Sequence, residues 1–202
     1  MDTKRIIGSL FFLLPFVLAA AQPGPAWDNE ERGDKPSPEN DIPELTDFAS
    51  LQAVFNQDAG HVRLVALLSP SCGYCIKGYR YMRKILDEVP DERLKMYVVW
   101  EPMLSGDSKQ LAERMSRKAK DPRMVYQAWD NERVTGKTWQ ASMDLPGIAW
   151  DVYFLYSAAT EWGEDGPSQP AYWQHQGAGG QENWLDYEKL KAKIEEMLAQ
   201  AG

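Results

Sequence analysis

The chain has 202 residues, 44% of them hydrophobic and 26% charged, enough apolar material for one domain with a sizeable core. Its formal net charge is −8. Such an acidic balance argues against a nucleic-acid partner, because neutralising phosphates takes a basic patch.

The chain opens on an export pattern. Lys4 and Arg5 precede an apolar stretch from Ile6 to Ala20, interrupted by Gly8, Ser9 and Pro15. Ala19-Ala20-Ala21 fits a small-residue cleavage site before Gln22. The stretch is shorter than the roughly 20 residues a spanning helix needs. Residues 1–21 are therefore expected to be a signal peptide, and the mature protein to be periplasmic or secreted with no stable membrane span. Residues 22–43 carry Pro23, Pro25, Pro36, Pro38 and Pro43 with charges and few aliphatic side chains. That composition cannot offset its ordering entropy, so a disordered linker is expected, with the folded domain over 44–202.

Leu45, Phe48, Leu51, Val54 and Phe55 fall at helical spacing and predict a first amphipathic helix. The run Val62 to Leu68 is continuously apolar, as in strands buried on both faces. Ser69-Pro70-Ser71-Cys72-Gly73-Tyr74-Cys75 follows, and its two cysteines are the only ones in the chain. Cys75, Tyr79, Met82, Ile85 and Leu86 then form one helix face that ends before Pro90. Leu94 to Trp100 is a second buried strand, stopped by Pro102. Strand, helix, strand of these lengths is a right-handed parallel unit.

Beyond it, Asp107 to Lys120 reads as a charged helix with Leu111 and Met115 inward, Arg123 to Ala128 as a short strand, and Asn131 to Met143 as a helix weakened by Gly136. Val152 to Tyr156 and Ala171 to Gln176 are aromatic-rich strands expected to pair antiparallel across a Gly- and Pro-rich loop. Trp184, Tyr187, Leu190, Ile194 and Leu198 mark a closing helix.

The cysteine pair carries the chemistry. A bridge between Cys72 and Cys75 closes so short a loop that it constrains little of the unfolded chain, which favours a chemical role over a structural staple. The element order, with its C-x-x-C at the first strand-to-helix turn, a later hairpin and a final helix, resembles the thioredoxin superfamily. Cys72-Gly73-Tyr74-Cys75 is also a tetrapeptide found in bacterial periplasmic disulfide isomerases. The resemblance spans Leu45 to Ala199. It implies an α/β fold: a three-layer sandwich around a central mixed sheet, with Asp107 to Ala128 as a helix-strand insertion.

Three positions depart from the family. Ser71 stands where thioredoxins usually carry Trp, and Ala66 where they often bury an Asp. Around Gly147-Ile148-Ala149-Trp150, the place of the family's cis-proline falls at Ile148 or Ala149, with Pro146 slightly early.

The thiolate is the attacking form of a cysteine, and a helix N-terminus favours it. Cys72, ahead of the first turn, is the expected exposed nucleophile. Cys75, one turn in, is the buried resolving thiol. Gly73 allows a tight turn there. Tyr74 either tunes the potential or contacts substrate, or else is a partly exposed turn residue. Glu101, at the end of the second buried strand, is a candidate to exchange the Cys75 proton. His175 would approach Cys72 if the hairpin returns toward it. His61, ahead of the first strand, is assigned no role.

Three functions fit. The first is an exported thiol–disulfide oxidoreductase, acting as a monomer on protein thiols or disulfides without a bound cofactor. Reduction is favoured over isomerisation, since an isomerase usually needs a dimerisation module. The second is a soft-metal protein holding Cu(I) with Cys72, Cys75 and His175. The third is a thioredoxin-like partner-binding scaffold whose Trp150, Tyr153, Trp162, Tyr172 and Trp173 gather at the groove.

Overall fold

The computed structural model describes residues 41–177 and 182–201. The expected signal peptide, and the linker up to residue 40, lie outside them. The chain is already packed at Ile42, which is buried, and the Pro43 carbonyl accepts from the Trp129 N–H at 2.9 Å. Ile42 and Pro43, assigned above to the linker, thus pack against the domain.

The elements are α1 (Phe48–Gln57), β1 (Val62–Leu68), α2 (Gly73–Glu88), β2 (Leu94–Trp100), α3 (Lys109–Ser116), β3 (Met124–Trp129), α4 (Val134–Ser142), β4 (Val152–Tyr156), β5 (Tyr172–His175) and α5 (Tyr187–Gln200). The starts of α1, α2 and α3 are set by capping side chains, which is where they differ from the periodicity. Asp47 accepts from the Ser50 N–H, so α1 begins at Phe48 and not at Leu45. Ser108 accepts from the Leu111 N–H, so α3 begins at Lys109 and leaves Asp107 outside the helix. Cys72 caps α2, which therefore begins at Gly73, ahead of Cys75, the first residue of the expected helix face.

The strands form one five-stranded sheet in the order β3-β2-β1-β4-β5. β1 is central and buried along its whole length. It runs parallel to β2, from Val62 opposite Leu94 to Leu68 opposite Trp100, and antiparallel to β4. β3 extends the sheet parallel to β2, so the helix-strand insertion adds an edge strand. β4 and β5 pair antiparallel, with Val152 opposite His175.

Alternation along the strands divides the core in two. Leu64, Ala66 and Leu68 of β1 face one cluster, which takes Cys75, Tyr79, Met82, Ile85 and Leu86 of α2 together with Leu190, Ile194 and Leu198 of α5. Val65 and Leu67 face the other, with Leu51 and Phe55 of α1 and Trp139 of α4. Each large apolar side chain buried in these layers contributes about 1.5–3 kcal/mol. The stacking fixes α2 with its first turn at the C-terminal ends of β1 and β2.

Candidate active site

Leu68 ends β1, and four residues later Cys72 caps α2. Its backbone is extended (φ −75°, ψ 121°), and its Sγ accepts from the Cys75 N–H at 3.4 Å. The sulfur thus stands at the free amides and positive dipole end of a 16-residue helix. The Cys75 thiol and amide, both donating to Cys72, lower its pKa to about 6, against burial and the Asp151 carboxylate, which push the other way. Cys75 is driven in the opposite direction: burial raises its pKa strongly, and so does its role as donor to Cys72. Cys72 is less open than expected for the nucleophile, at 7% exposure, while Cys75 has none. Gly73 makes no tight turn; it is the first residue of the helix.

Below the sulfurs lies a carboxylate that the sequence reading did not single out. Asp151 immediately precedes β4, and its ligand atom and the two sulfurs lie within 4.8 Å of one another. Its backbone holds it there: the Asp151 N–H donates to the Leu67 carbonyl at 2.8 Å, and the Gln176 N–H donates to the Asp151 carbonyl at 3.0 Å. Asp151 has φ 53°, a left-handed conformation that Asp tolerates better than most side chains. One oxygen accepts from the Tyr153 hydroxyl and from Gln176 Nε2, each at 3.1 Å. Burial raises the Asp151 pKa, and these hydrogen bonds partly oppose it. Gln176 Nε2 also donates to the Tyr74 carbonyl at 2.8 Å, tying the end of β5 to the cysteine turn.

A central strand flanked by one parallel and one antiparallel neighbour, with a C-x-x-C capping the helix that leaves it, decides the architecture. The fold is thioredoxin-like. No family model and no curated protein matches the chain. Among solved structures, it is similar to a hypothetical protein from Sinorhizobium meliloti at 13% identity and a TM-score of 0.51, over 73% of this chain and 74% of that one. It is similar to a secreted Mycobacterium tuberculosis disulfide oxidoreductase homologous to E. coli DsbE at 13% identity and a TM-score of 0.45, over 79% and 99%. It is also similar to a SCO1/SenC family lipoprotein from Bacillus anthracis at 10% identity and a TM-score of 0.47, over 70% and 84%. At these identities the likeness bears on the fold alone.

Within this thioredoxin-like fold, the family's cis-proline place differs from the expectation. The residue leading into β4 is Asp151, not Ile148 or Ala149, and no cis peptide bond occurs among the described residues. Ala66, where a family Asp was expected, lies opposite Tyr153, so the buried carboxylate arrives from β4 and not from β1.

The other candidates spread around this centre. Tyr74 is 59% exposed, and its ring meets Trp184 edge-on at 6.3 Å. His175 reaches the same Trp184 at 6.0 Å and stacks on Trp173 at 5.3 Å, so it adjoins Tyr74 through an indole and is absent from the group formed with the sulfurs. Its Nδ1 accepts from the Gly177 N–H at 3.2 Å, and burial lowers its pKa, keeping it neutral.

Glu101 turns to α4. Its Oε1 lies 2.8 Å from the Thr135 hydroxyl and accepts from the Gly136 N–H at 2.7 Å, while its Oε2 is buried without a partner. The same Thr135 hydroxyl lies 2.7 Å from an Asp130 oxygen. One hydroxyl hydrogen cannot serve two carboxylates, so one acid carries a proton. Burial raises Glu101 to about 8, with Asp130 adding to the rise, so Glu101 holds it.

The five aromatic residues expected at a groove do not assemble there. Tyr153 is fully buried, and Trp162 stacks on Phe55 at 3.6 Å in the opposite layer. Trp150 and Trp173 do line a small groove with Pro146, Ile148 and His175.

Proposed function

We propose that this chain is an exported thiol–disulfide oxidoreductase that reduces disulfides of protein partners with the Cys72–Cys75 couple, as a monomer. The observation that carries this reading is the Cys72 sulfur capping α2, with the Asp151 carboxylate beside both thiols. No helix among the described residues is long and apolar enough to cross a membrane.

The Cys72 thiolate attacks one sulfur of the partner disulfide. A Cys72–partner bond forms, the partner's own bond breaks, and the first partner thiolate leaves and takes a proton from solvent. Cys75 then has to lose its proton. Asp151 is the group within reach, and its raised pKa brings it closer to the working pH of a base. The Cys75 sulfur attacks Cys72, the second partner thiolate leaves, and Asp151 returns the proton. Two electrons pass from the dithiol to the partner disulfide, and no bound cofactor is needed.

The thiolate supports the reducing direction. A nucleophile held near 6 is closer to the roughly 7 of reducing dithiols than to the roughly 3.5 of strongly oxidising ones, where the reduced form is over-stabilised. Copper delivery is less well supported. The third donor near the sulfurs is a carboxylate oxygen and not His175, and soft Cu(I) gains little from hard oxygen.

The test uses reduced protein and a disulfide-linked peptide. Wild type should release both peptide thiols. Cys75→Ser should stop at a mixed disulfide with Cys72, seen by intact mass, and Cys72→Ser should do neither. Peptide reduction by Cys72→Ser at the wild-type rate would contradict the assignment.

A further inference from the structure

Asp107 stands just outside α3, facing the segment that delivers Cys72. Its Oδ1 accepts from the Ser71 N–H at 2.9 Å. Its Oδ2 accepts from the N–H groups of Met103 at 2.8 Å and Leu104 at 2.7 Å. The Ser69 hydroxyl lies 3.0 and 2.8 Å from the two oxygens and donates between them. The Asp107 N–H closes the turn on the Leu104 carbonyl at 3.0 Å. Two loops, one entering the cysteine turn and one leaving β2, are thus clamped on a single carboxylate. Ser69 is fully buried, and its carbonyl accepts from the Cys72 N–H at 3.3 Å.

We propose that Asp107 is a positioning residue for Cys72: by holding Ser69 and Ser71 it sets the direction in which the Cys72 sulfur meets the first turn of α2. The proposal rests on the reading of Cys72 as the nucleophile. The donors approach from two sides, so acceptors are needed on both. A carboxylate supplies two. An asparagine supplies one acceptor and one donor, and its NH₂ would oppose N–H groups on one side. The clamp cannot work through its charge, because a negative group near a thiol disfavours the thiolate. Geometry and charge therefore make opposite predictions. If Asp107 acted as a charge, removing it would make Cys72 more acidic. If it acts by holding the loop, removing it makes Cys72 less acidic.

The test is the pH profile of Cys72 alkylation by iodoacetamide, followed by mass spectrometry on the reduced full chain. Asp107→Ala should move the profile up by about one pH unit, a loss of about tenfold in relative reactivity at mildly acidic pH. Asp107→Asn should fall between wild type and Ala. Ser69→Ala removes one arm of the clamp without touching the charge and should shift the profile in the same upward direction, which keeps the comparison available if Asp107→Ala does not fold. A downward shift or an unmoved profile in the Asp107 variants, with wild type still reacting near pH 6, would overturn the proposal alone. A wild-type thiol reacting only in the ordinary range would remove the nucleophile assignment and this proposal with it.

Discussion

The Tyr153 hydroxyl occupies the space that a Cβ on Gly78 would need, 1.7 Å from that position. Tyr153 is fully buried, and its hydroxyl is also bound to Asp151, so it has little room to yield. Gly78 lets the tyrosine pass beneath α2 and reach the carboxylate. Gly78→Ala should force the two apart and destabilise the protein by about 3 kcal/mol, read by urea unfolding. A change within about 0.5 kcal/mol would mean that the contact is freely adjustable.

Asp151→Asn keeps acceptors for Tyr153 and Gln176 and tolerates the left-handed backbone, but it cannot take a proton. It also removes a negative charge that opposes the Cys72 thiolate. First attack should be unchanged or faster, and resolution of the mixed disulfide should slow by about 100-fold. Stopped-flow mixing with an aromatic disulfide separates the two steps. Equal slowing of both would show that Asp151 supports the site only structurally.

Glu101 makes stability depend on pH. Its folded pKa is raised from 4.5 to about 8, so between those values the folded state binds more protons than the unfolded one. The sign is then a loss of stability as pH rises through that window, at up to about 1.4 kcal/mol per pH unit. Glu101→Gln resembles the protonated acid and should flatten the loss. Thermal melts of both proteins from pH 5 to pH 8 check it; parallel curves would contradict the assignment of the proton to Glu101.

Much of the architecture was legible because burial writes a periodicity. The apolar runs of β1, β2 and β4 and the faces of α2 and α5 announce themselves in a single window. The cysteine pair pointed to the candidate site. What stayed hidden has no local pattern. Asp151 looks like any acid ahead of a strand; its value comes from Leu67 in β1 and Gln176 just past β5, which hold it. Asp107 reads as the first charge of a helix, yet its partners Ser69 and Ser71 lie 38 and 36 residues away. Glu101 sits at the end of the second predicted strand, but Thr135, 34 residues on, decides where it points. His175 ends the second strand of the hairpin, but its neighbour there is Trp184, from beyond β5. Polar contacts between distant loops follow from the finished fold, not from spacing.

The most direct measurement is the titration of the Cys72 thiolate by its ultraviolet absorbance in the reduced full chain, with Cys72→Ser as the blank. A single transition with a midpoint near 6 is expected, from a sulfur capping α2. A midpoint at or above about 8.5, the value of a free cysteine, would contradict it.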